Sequence, residues 1–320
     1  MSRRSFLAGS LGVMLAGAGA RARAQGWPAN PIKLIVGYPP GGPVDNIARL
    51  TMPFVGKILG QSIVIENKPG AAGGMGVAST LRADPDGYTF GIGVLGLFAI
   101  SPHIAEPMFK LEDVNYVTML TRSPHVFVVN PERGIADLPA FVAAARKTPG
   151  KLNYGSPGYG STTHLDVELL LQAAKIDVLH VPYKGGSAAM NALLGDEVQM
   201  LSVEISAALP LQQKVRIAAI MADKRSPLLP DVPTTVELGY PSVIASSMYG
   251  VIAPPKTPDA IMAKFRAAVH QALAMPEVRD QLLRQGQAPS PSTAEEYRKL
   301  MADESARWAG IIKTRGIKVS

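Results

Sequence analysis

From Ile32 onward, short apolar runs alternate with segments whose apolar residues recur at helical spacing. Ile32-Lys33-Leu34-Ile35-Val36-Gly37-Tyr38 predicts a strand, stopped by Pro39-Pro40. The spacing then predicts a helix over 44–59, kinked or broken by Pro53, a strand over 62–66, a helix over 75–82 after a Gly-rich approach, and a strand over 88–94. The same rhythm restarts after Thr121. Strands are predicted over 126–129, 152–154, 178–182, 198–203 and 215–221, with helices over 137–147 (capped by Asp137), 162–174 and 188–194, the last ended by Gly195. A Pro-rich stretch over 225–240 precedes one more strand at 247–252. Three helix starts follow: Thr257 with Pro258 at the first helical position, Pro276, and Ser292 with Glu295 as a capping box for a long amphipathic helix reaching Arg315.

Strands alternating with helices at this spacing predict an α/β fold with mainly parallel sheets. Two units of similar size, followed by helices that need a sheet to cover, predict a chain that crosses twice between domains, near 123–126 and 246–250. The expected domains are 25–123 plus 250–320, and 124–249, with a cleft between them that closes on a ligand. Repeats of solenoid length are absent.

The first residues change the picture of composition. Ser2-Arg3-Arg4-Ser5-Phe6-Leu7, an apolar run from Ala8 to Ala20, and Ala22-Arg23-Ala24 before Gln25 have the layout of a secretory signal peptide. The paired arginines give it a twin-arginine character, with an ordinary secretory leader as the alternative. An uncharged run of roughly 16 residues is short of the ~20 that span a bilayer. The expected location is the periplasm, with the leader, residues 1–24, removed. Four arginines (Arg3, Arg4, Arg21, Arg23) leave with it, so a net charge of +7 falls to +3, or 28 basic against 25 acidic residues. With no run of five basic residues left and 6% aromatics, a nucleic-acid platform is excluded. With no cysteine, stability must come from the core, which 47% hydrophobic residues can supply.

Three loops rich in Gly, Pro and Ser each follow a predicted strand and lead into a predicted helix: 39–43, 156–163 and 183–187. Amides at helix N-termini bind anions without chemistry following, so this pattern points to carboxylate binding. Gly41 and Gly42 allow close approach of the backbone, and Asp45 either caps its helix or reaches a ligand through water. Gly158, Gly160, Ser161 and Thr162 offer N–H and hydroxyl donors together, whereas Lys184 reads most simply as solvated. Gly91-Ile92-Gly93-Val94-Leu95-Gly96 has the letters of a dinucleotide fingerprint, but Ser101-Pro102 interrupts the helix it should open, leaving glycines that permit close sheet packing. Ser161 with His164 could be read as nucleophile and base, yet Ser161 is better placed as an N-cap and no Gly-x-Ser-x-Gly elbow surrounds it. The helix end would disfavour a protonated His164. His103, His125, His180 and His270 are scattered, so neither a metal site, a cofactor nor a catalytic residue is expected.

On these residues the chain resembles the solute-binding proteins of tripartite tricarboxylate transporters, the Bug family. The resemblance covers nearly the whole mature chain. It rests on Tyr38-Pro39-Pro40-Gly41-Gly42-Pro43-Val44-Asp45-Asn46-Ile47-Ala48-Arg49, Glu66-Asn67-Lys68-Pro69-Gly70-Ala71, Asp84-Pro85-Asp86-Gly87-Tyr88-Thr89, Leu152-Asn153-Tyr154-Gly155-Ser156 and His180-Val181-Pro182-Tyr183-Lys184-Gly185. Lys224-Arg225-Ser226-Pro227 and Leu229-Pro230-Asp231-Val232-Pro233-Thr234 complete the series. The resemblance implies a two-lobed type II periplasmic-binding fold that captures a small carboxylate for a membrane permease of that type, as a monomer, with loop amides, hydroxyls and ordered water holding the ligand. The site residues it implies, joined to the loop reading, are Tyr38, Pro40, Gly41, Gly42, Val44, Asp45, Gly73, Gly74, Gly158, Gly160, Ser161, Thr162, Thr163, His164, Tyr183, Gly185 and Gly186. Two departures stand out. Where relatives carry a Phe-Asp-Asn-like run, this chain has Ser202-Val203-Glu204-Ile205-Ser206. Glu204 is either a solvated or helix-capping residue or, if it faces the cleft, a partner for a cationic group such as that of an amino acid or an N-heterocyclic acid. The segment 93–98 is apolar, favouring an aromatic or aliphatic acid over citrate. The competing readings are a ligand sensor docking on a membrane receptor, which would share these residues, and an enzyme, for which no base is evident.

Overall fold

The structure, a computed structural model, describes residues 26–131 and 134–317, so the leader expected over 1–24 lies outside the described residues. It is an α/β fold of two domains built on mixed sheets. In the first sheet, β1 (Ile32–Val36) pairs in parallel with β2 (Ile63–Asn67) and β3 (Thr89–Val94). In the second, β5 (Asn153–Ser156) pairs in parallel with β6 (Leu179–Pro182) and β7 (Met200–Glu204). These parallel blocks match the expectation. The strands between them do not. β4 (Asn115–Val129) runs antiparallel to β9 (Ser246–Ala253) over residues 115–124, then antiparallel to β7 over 125–129 and to β8 (Arg216–Ile220) over 126–129. β9 also runs antiparallel to β3, and the short β10 (Ala288–Pro289) to β4. Two strands that carry the chain in opposite directions between the sheets must pair antiparallel, which makes the centre mixed.

Apart from a single turn at 205–208 that no spacing or start signal marked, the helices lie where spacing and start signals placed them. They are α1 (Pro43–Leu59), α2 (Gly74–Leu81), α3 (Leu138–Lys147), α4 (Thr162–Ala174), α5 (Gly186–Leu194), the single turn α6 (Ile205–Ala208), α7 (Asp259–Ala274), α8 (Pro276–Arg284) and α9 (Ala294–Arg315). Three local expectations are corrected. α1 passes through Pro53 unbroken, because Pro53 is exposed and the carbonyl it leaves without a donor can turn to water. Thr257 does not cap α7; its hydroxyl donates to Pro254 O at 2.8 Å, and Pro258 takes the cap position. The capping box of α9 is shifted by one residue, to Thr293 and Glu296. Ser292 is diverted into the core edge, where its Oγ accepts from Met119 N (3.1 Å) and its N–H donates to Thr118 Oγ1 (3.2 Å).

The larger core fills the first sheet and continues into α4. Phe90 of β3 stacks on Phe265 of α7 at 4.0 Å between centroids, with Trp27 edge-on to Phe90. Glycines set how closely the layers approach. A Cβ on Gly76 would lie 2.4 Å from Gly37 Cα, and one on Gly37 would lie 2.5 Å from Gly73 O, so β1 and the start of α2 meet backbone to backbone. Gly91 and Gly93 face Thr80 and Phe98 at 2.2 and 2.3 Å in the same sense, which is the close-packing role read for them in the sequence.

Because backbone cannot move aside as a side chain can, Gly76→Ala is expected to destabilise by about 1–3 kcal/mol. Gly310→Ala, in the exposed interior of α9 with open space at its Cβ, is expected to stabilise by about 0.5–1 kcal/mol. Urea unfolding of the two variants beside the wild type checks both signs.

Candidate functional site

A cavity of about 360 Å³ opens where the C-terminal ends of β1, β3 and β7 meet the strands that cross between the sheets. Each wall has a distinct origin. Tyr38 follows β1, and Pro43 and Val44 open α1. Val94, Leu95, Gly96, Leu97 and Ile100 come from the end of β3 and a π-helical turn, forming the apolar wall expected over 93–98. Gly160, Ser161, Thr162 and Thr163 open α4; His125 lies on β4, Glu204 ends β7, and Ser247, Met248 and Tyr249 belong to β9. A smaller space of about 210 Å³ shares Pro43, Thr163 and Glu204 and adds Gly186 and Ser206.

Of the residues anticipated, Tyr38, Val44, Gly160, Ser161, Thr162, Thr163 and Glu204 line the main cavity, and Gly186 lines the smaller one. Pro40, Gly41, Gly42, Asp45, Gly73, Gly74, Gly158, His164, Tyr183 and Gly185 line neither. Most of these hold the wall from behind. Asp45 is 1% exposed, and its carboxylate accepts from Gly41 N (2.9 Å), Arg49 Nε (2.7 Å) and Asn67 Nδ2 (2.9 Å). Burial raises its pKa, but these three hydrogen bonds and the Arg49 charge outweigh burial and hold it below the ordinary range. Asp45 therefore ties the first loop to α1 and β2. Gly73, at φ 99°, lies against the Tyr38 ring, where a Cβ would approach to 2.7 Å. Tyr38 OH donates to Ala72 O at 2.6 Å and so props a turn in which Ala71 and Ala72 both occupy the left-handed region, at φ 48° and 52°. That conformation costs about 1–2 kcal/mol per residue. Tyr183 turns away to donate to Glu197 Oε2 at 3.1 Å, and Lys184 is exposed, as its solvated reading expected.

The second loop spends more of its own donors than the sequence suggested. Ser161 caps α4, its Oγ accepting from His164 N (3.2 Å) while donating to Gly158 O (2.8 Å). Gly158 N donates to Ser156 Oγ (3.1 Å) and Gly160 N to His164 Nδ1 (3.0 Å). The donors left are the amides of Thr162 and Thr163, which at the first two helical positions have no intrahelical acceptor. Thr163 Oγ1 is itself buried without a hydrogen-bond partner among the described residues.

His164 and His180 stack at 4.0 Å beneath this loop, flanked by Tyr154 and Tyr159. Burial drives both pKa values down to about 4; for His180 the neighbouring His164 adds to this. Desolvation, not the helix end, is thus the main reason His164 is neutral. His164 Nε2 lies 3.9 Å from Glu168 Oε1, whose carboxylate takes the Tyr154 hydroxyl (2.5 Å) and pairs with Arg315.

No motif announces the network opposite. His125, fully buried, places Nδ1 at 2.6 Å from Asp166 Oδ2, which also accepts from Ser202 Oγ at 2.6 Å. Its Nε2 lies 2.9 Å from Ser247 Oγ; Ser247 donates to Glu204 Oε1 at 2.7 Å, and Tyr249 OH donates to the same oxygen at 2.5 Å. Burial alone would lower the His125 pKa, but the Asp166 charge and hydrogen bond, with help from Glu204, hold it above the ordinary value. The geometry agrees: the one Ser247 hydroxyl proton goes to Glu204, so Nε2 must donate. Burial, then Glu204, raises the Tyr249 and Tyr38 phenols, which stay neutral donors. Forty-one residues separate His125 from Asp166, a spacing no motif marks; only the β4–β7 register, with His125 opposite Glu204, brings the group together. Among the described residues, no three His, Cys, Asp or Glu are placed to hold a metal ion.

Residues 47–317 match the family described as the tripartite tricarboxylate transporter family receptor, TctC. The chain belongs to this family. Protein BugT of Bordetella pertussis is 34% identical to it over 319 residues, 97% of each chain. Among solved structures, R. palustris Rpa4515 with adipate is 29% identical with a TM-score of 0.82, over 92% of this chain and all of that one. MatC from Rhodopseudomonas palustris with bound malate is 30% identical with a TM-score of 0.76, over 89% of this chain and all of that one. Other solved neighbours are a periplasmic transporter and the periplasmic binding protein BugD. TctC-family members are solute-binding proteins and not enzymes, which leaves the nucleophile-and-base reading of Ser161 and His164 without support.

The histidine stack gives a signed pH dependence. An unfolded histidine near 6.5 binds a proton that the folded state refuses until about 4, so stability falls as pH drops from about 6.5 to about 4. His180→Gln is expected to flatten that slope in urea titrations repeated across this range. His125 has the opposite sign, its contribution being full below its unfolded pKa and lost as pH rises through its raised value. An equal slope in wild type and variant would show that the stack does not titrate as described.

Proposed function

We propose that this TctC-family protein is exported to the periplasm, captures a small organic acid in the cavity between its two domains, and delivers it to a membrane permease of the tripartite tricarboxylate type. The observation that carries the reading is the cavity wall at the start of α4. There Thr162 and Thr163, whose amides have no intrahelical acceptor, line a space with no lysine or arginine among the described residues of its lining, and the Thr163 hydroxyl is buried without a hydrogen-bond partner. A helix N-terminus and hydroxyls of this kind suit a carboxylate. The relatives solved with adipate and malate support that choice. The leader pattern and the periplasmic neighbours support the location.

The mechanism is differential affinity. Tyr38 and Val44 belong to the sheet of β1, the α4 residues to that of β5, and β4 and β9 join the two. We take the lobes to be 25–123 plus 250–320, and 124–249, with the crossings in those strands as hinges. A ligand touching both lobes binds the closed state better and shifts the population toward it by that difference. The protein acts as a monomer, without cofactor.

Thermal unfolding of the protein from Gln25, against mono-, di- and tricarboxylates, amino acids and aromatic acids, tests this. A ligand at a hundredfold its Kd should stabilise by about 2.7 kcal/mol, a shift of a few degrees, with no consumption of the compound. Ser161→Ala should cost about 1 kcal/mol of stability through the lost cap and weaken whichever acid binds. Absence of a shift with every acid would refute the carboxylate reading.

A further inference from the structure

We infer that the acid bound here also carries a protonated nitrogen, so that the ligand is an amino acid or a related zwitterion with an apolar body. This rests on the carboxylate reading above and adds a second group to it. The carrier of the inference is Glu204, which lines both the main cavity and its smaller neighbour. Its Oε1 is filled by the protons of Ser247 and Tyr249. Its Oε2 has only contacts at the outer limit of hydrogen bonding, Ser206 Oγ at 3.4 Å and Gln287 Nε2 at 3.5 Å. A carboxylate oxygen at a cavity wall with unspent lone pairs calls for a donor.

The surroundings leave little else for that donor to be. His125, the cation beside Glu204, is engaged by Asp166, and among the described residues no lysine or arginine lines the cavity. The two hydroxyls beside Glu204 already give it their protons, the Tyr38 hydroxyl gives its own to Ala72 O, and the cavity's other hydroxyls come from Ser101 and the start of α4. A dicarboxylate reaching Glu204 would therefore bring like charge against a group whose neighbouring hydroxyl protons are already used. An ammonium or iminium group instead completes Oε2 and removes the repulsion. Leu95, Leu97, Ile100 and Met248, which line the same cavity, offer an apolar surface to the ligand body. In this the expected ligand differs from adipate and malate, which carry no nitrogen.

The test is calorimetric titration of the protein from Gln25 with acids matched in shape and differing in the nitrogen: glutamate with glutarate, proline with cyclopentanecarboxylate, phenylalanine with 3-phenylpropanoate. In at least one pair the nitrogen-bearing acid should bind tenfold or more tighter. Glu204→Gln should bring that ratio near one, and Glu204→Asp, which keeps the charge, should preserve its direction. The wild-type ratios decide the matter even if a variant fails to fold. Equal or tighter binding of the nitrogen-free acids in every pair overturns the inference and leaves the carboxylate reading standing. A nitrogen preference that survives Glu204→Gln overturns the assignment to Glu204. If no acid of either kind binds, the carboxylate reading itself fails, and this inference with it.

Discussion

The buried contact between His125 and Asp166 is the constraint on which the site's geometry depends. Both residues are fully removed from water, a placement that charge tolerates only when the pair is close; Asp166 Oδ2 takes both the imidazole and Ser202, while its Oδ1 is buried without a partner among the described residues. Asp166 belongs to α4 and His125 to β4, so their contact fixes the helix against the strand that passes from one sheet to the other. From His125 the chain of hydrogen bonds runs on through Ser247 of β9 to Glu204 of β7. Helix start, both crossing strands and the anionic wall are thus set in place by one buried imidazolium. Removing one partner would leave the other charge buried and alone, a loss of about 3–5 kcal/mol in comparable cases.

The three histidines near the cavity show how neighbours, not residue type, decide charge. His125 has a carboxylate at 2.6 Å and is held protonated; His164 and His180 have each other at 4.0 Å and are held neutral. The neutral pair lies under the loop that opens α4, where a cation would oppose the positive end of the helix. Its neutrality also lets His164 Nδ1 accept the Gly160 amide, shaping the loop at the expense of one donor. The amides left unspent at the cavity are consequently those of the helix itself, at Thr162 and Thr163, and not the glycine amides before it.

Local features of the fold were legible because local forces produce them. The Asp137 and Ser161 caps and the Pro276 helix start follow from chain neighbours alone, and all stand as read. Where two local solutions competed, sequence could not choose. Ser292-x-x-Glu295 and Thr293-x-x-Glu296 both satisfy a capping box, and only the contact of Ser292 with Thr118 and Met119 settles for the second. The loops were found but their donors were misjudged, because Gly158 and Gly160 spend their amides on side chains whose rotamers no motif encodes. Glu204, more simply read as solvated or capping, faces the cavity because β7 pairs beside β4 in a register that puts it opposite His125.

The terminal helix shows the same dependence on distant partners at larger scale. By sequence α9 is an amphipathic helix covering the first sheet, and near its start Tyr297 packs edge-on against Tyr116 of β4. Its far end reaches past that sheet: Arg307 donates to Ile244 O, and Arg315 pairs with Glu168 of α4, whose carboxylate also holds Tyr154 of β5. A helix of 22 residues is stiff over its length, so fastening both ends makes it a third connection between the sheets beside β4 and β9. Relative movement of the two sheets must either carry Arg315 with α4 or part it from Glu168. Since Glu168 lies one turn beyond His164 on the same helix, that choice is made within reach of the loop that lines the cavity.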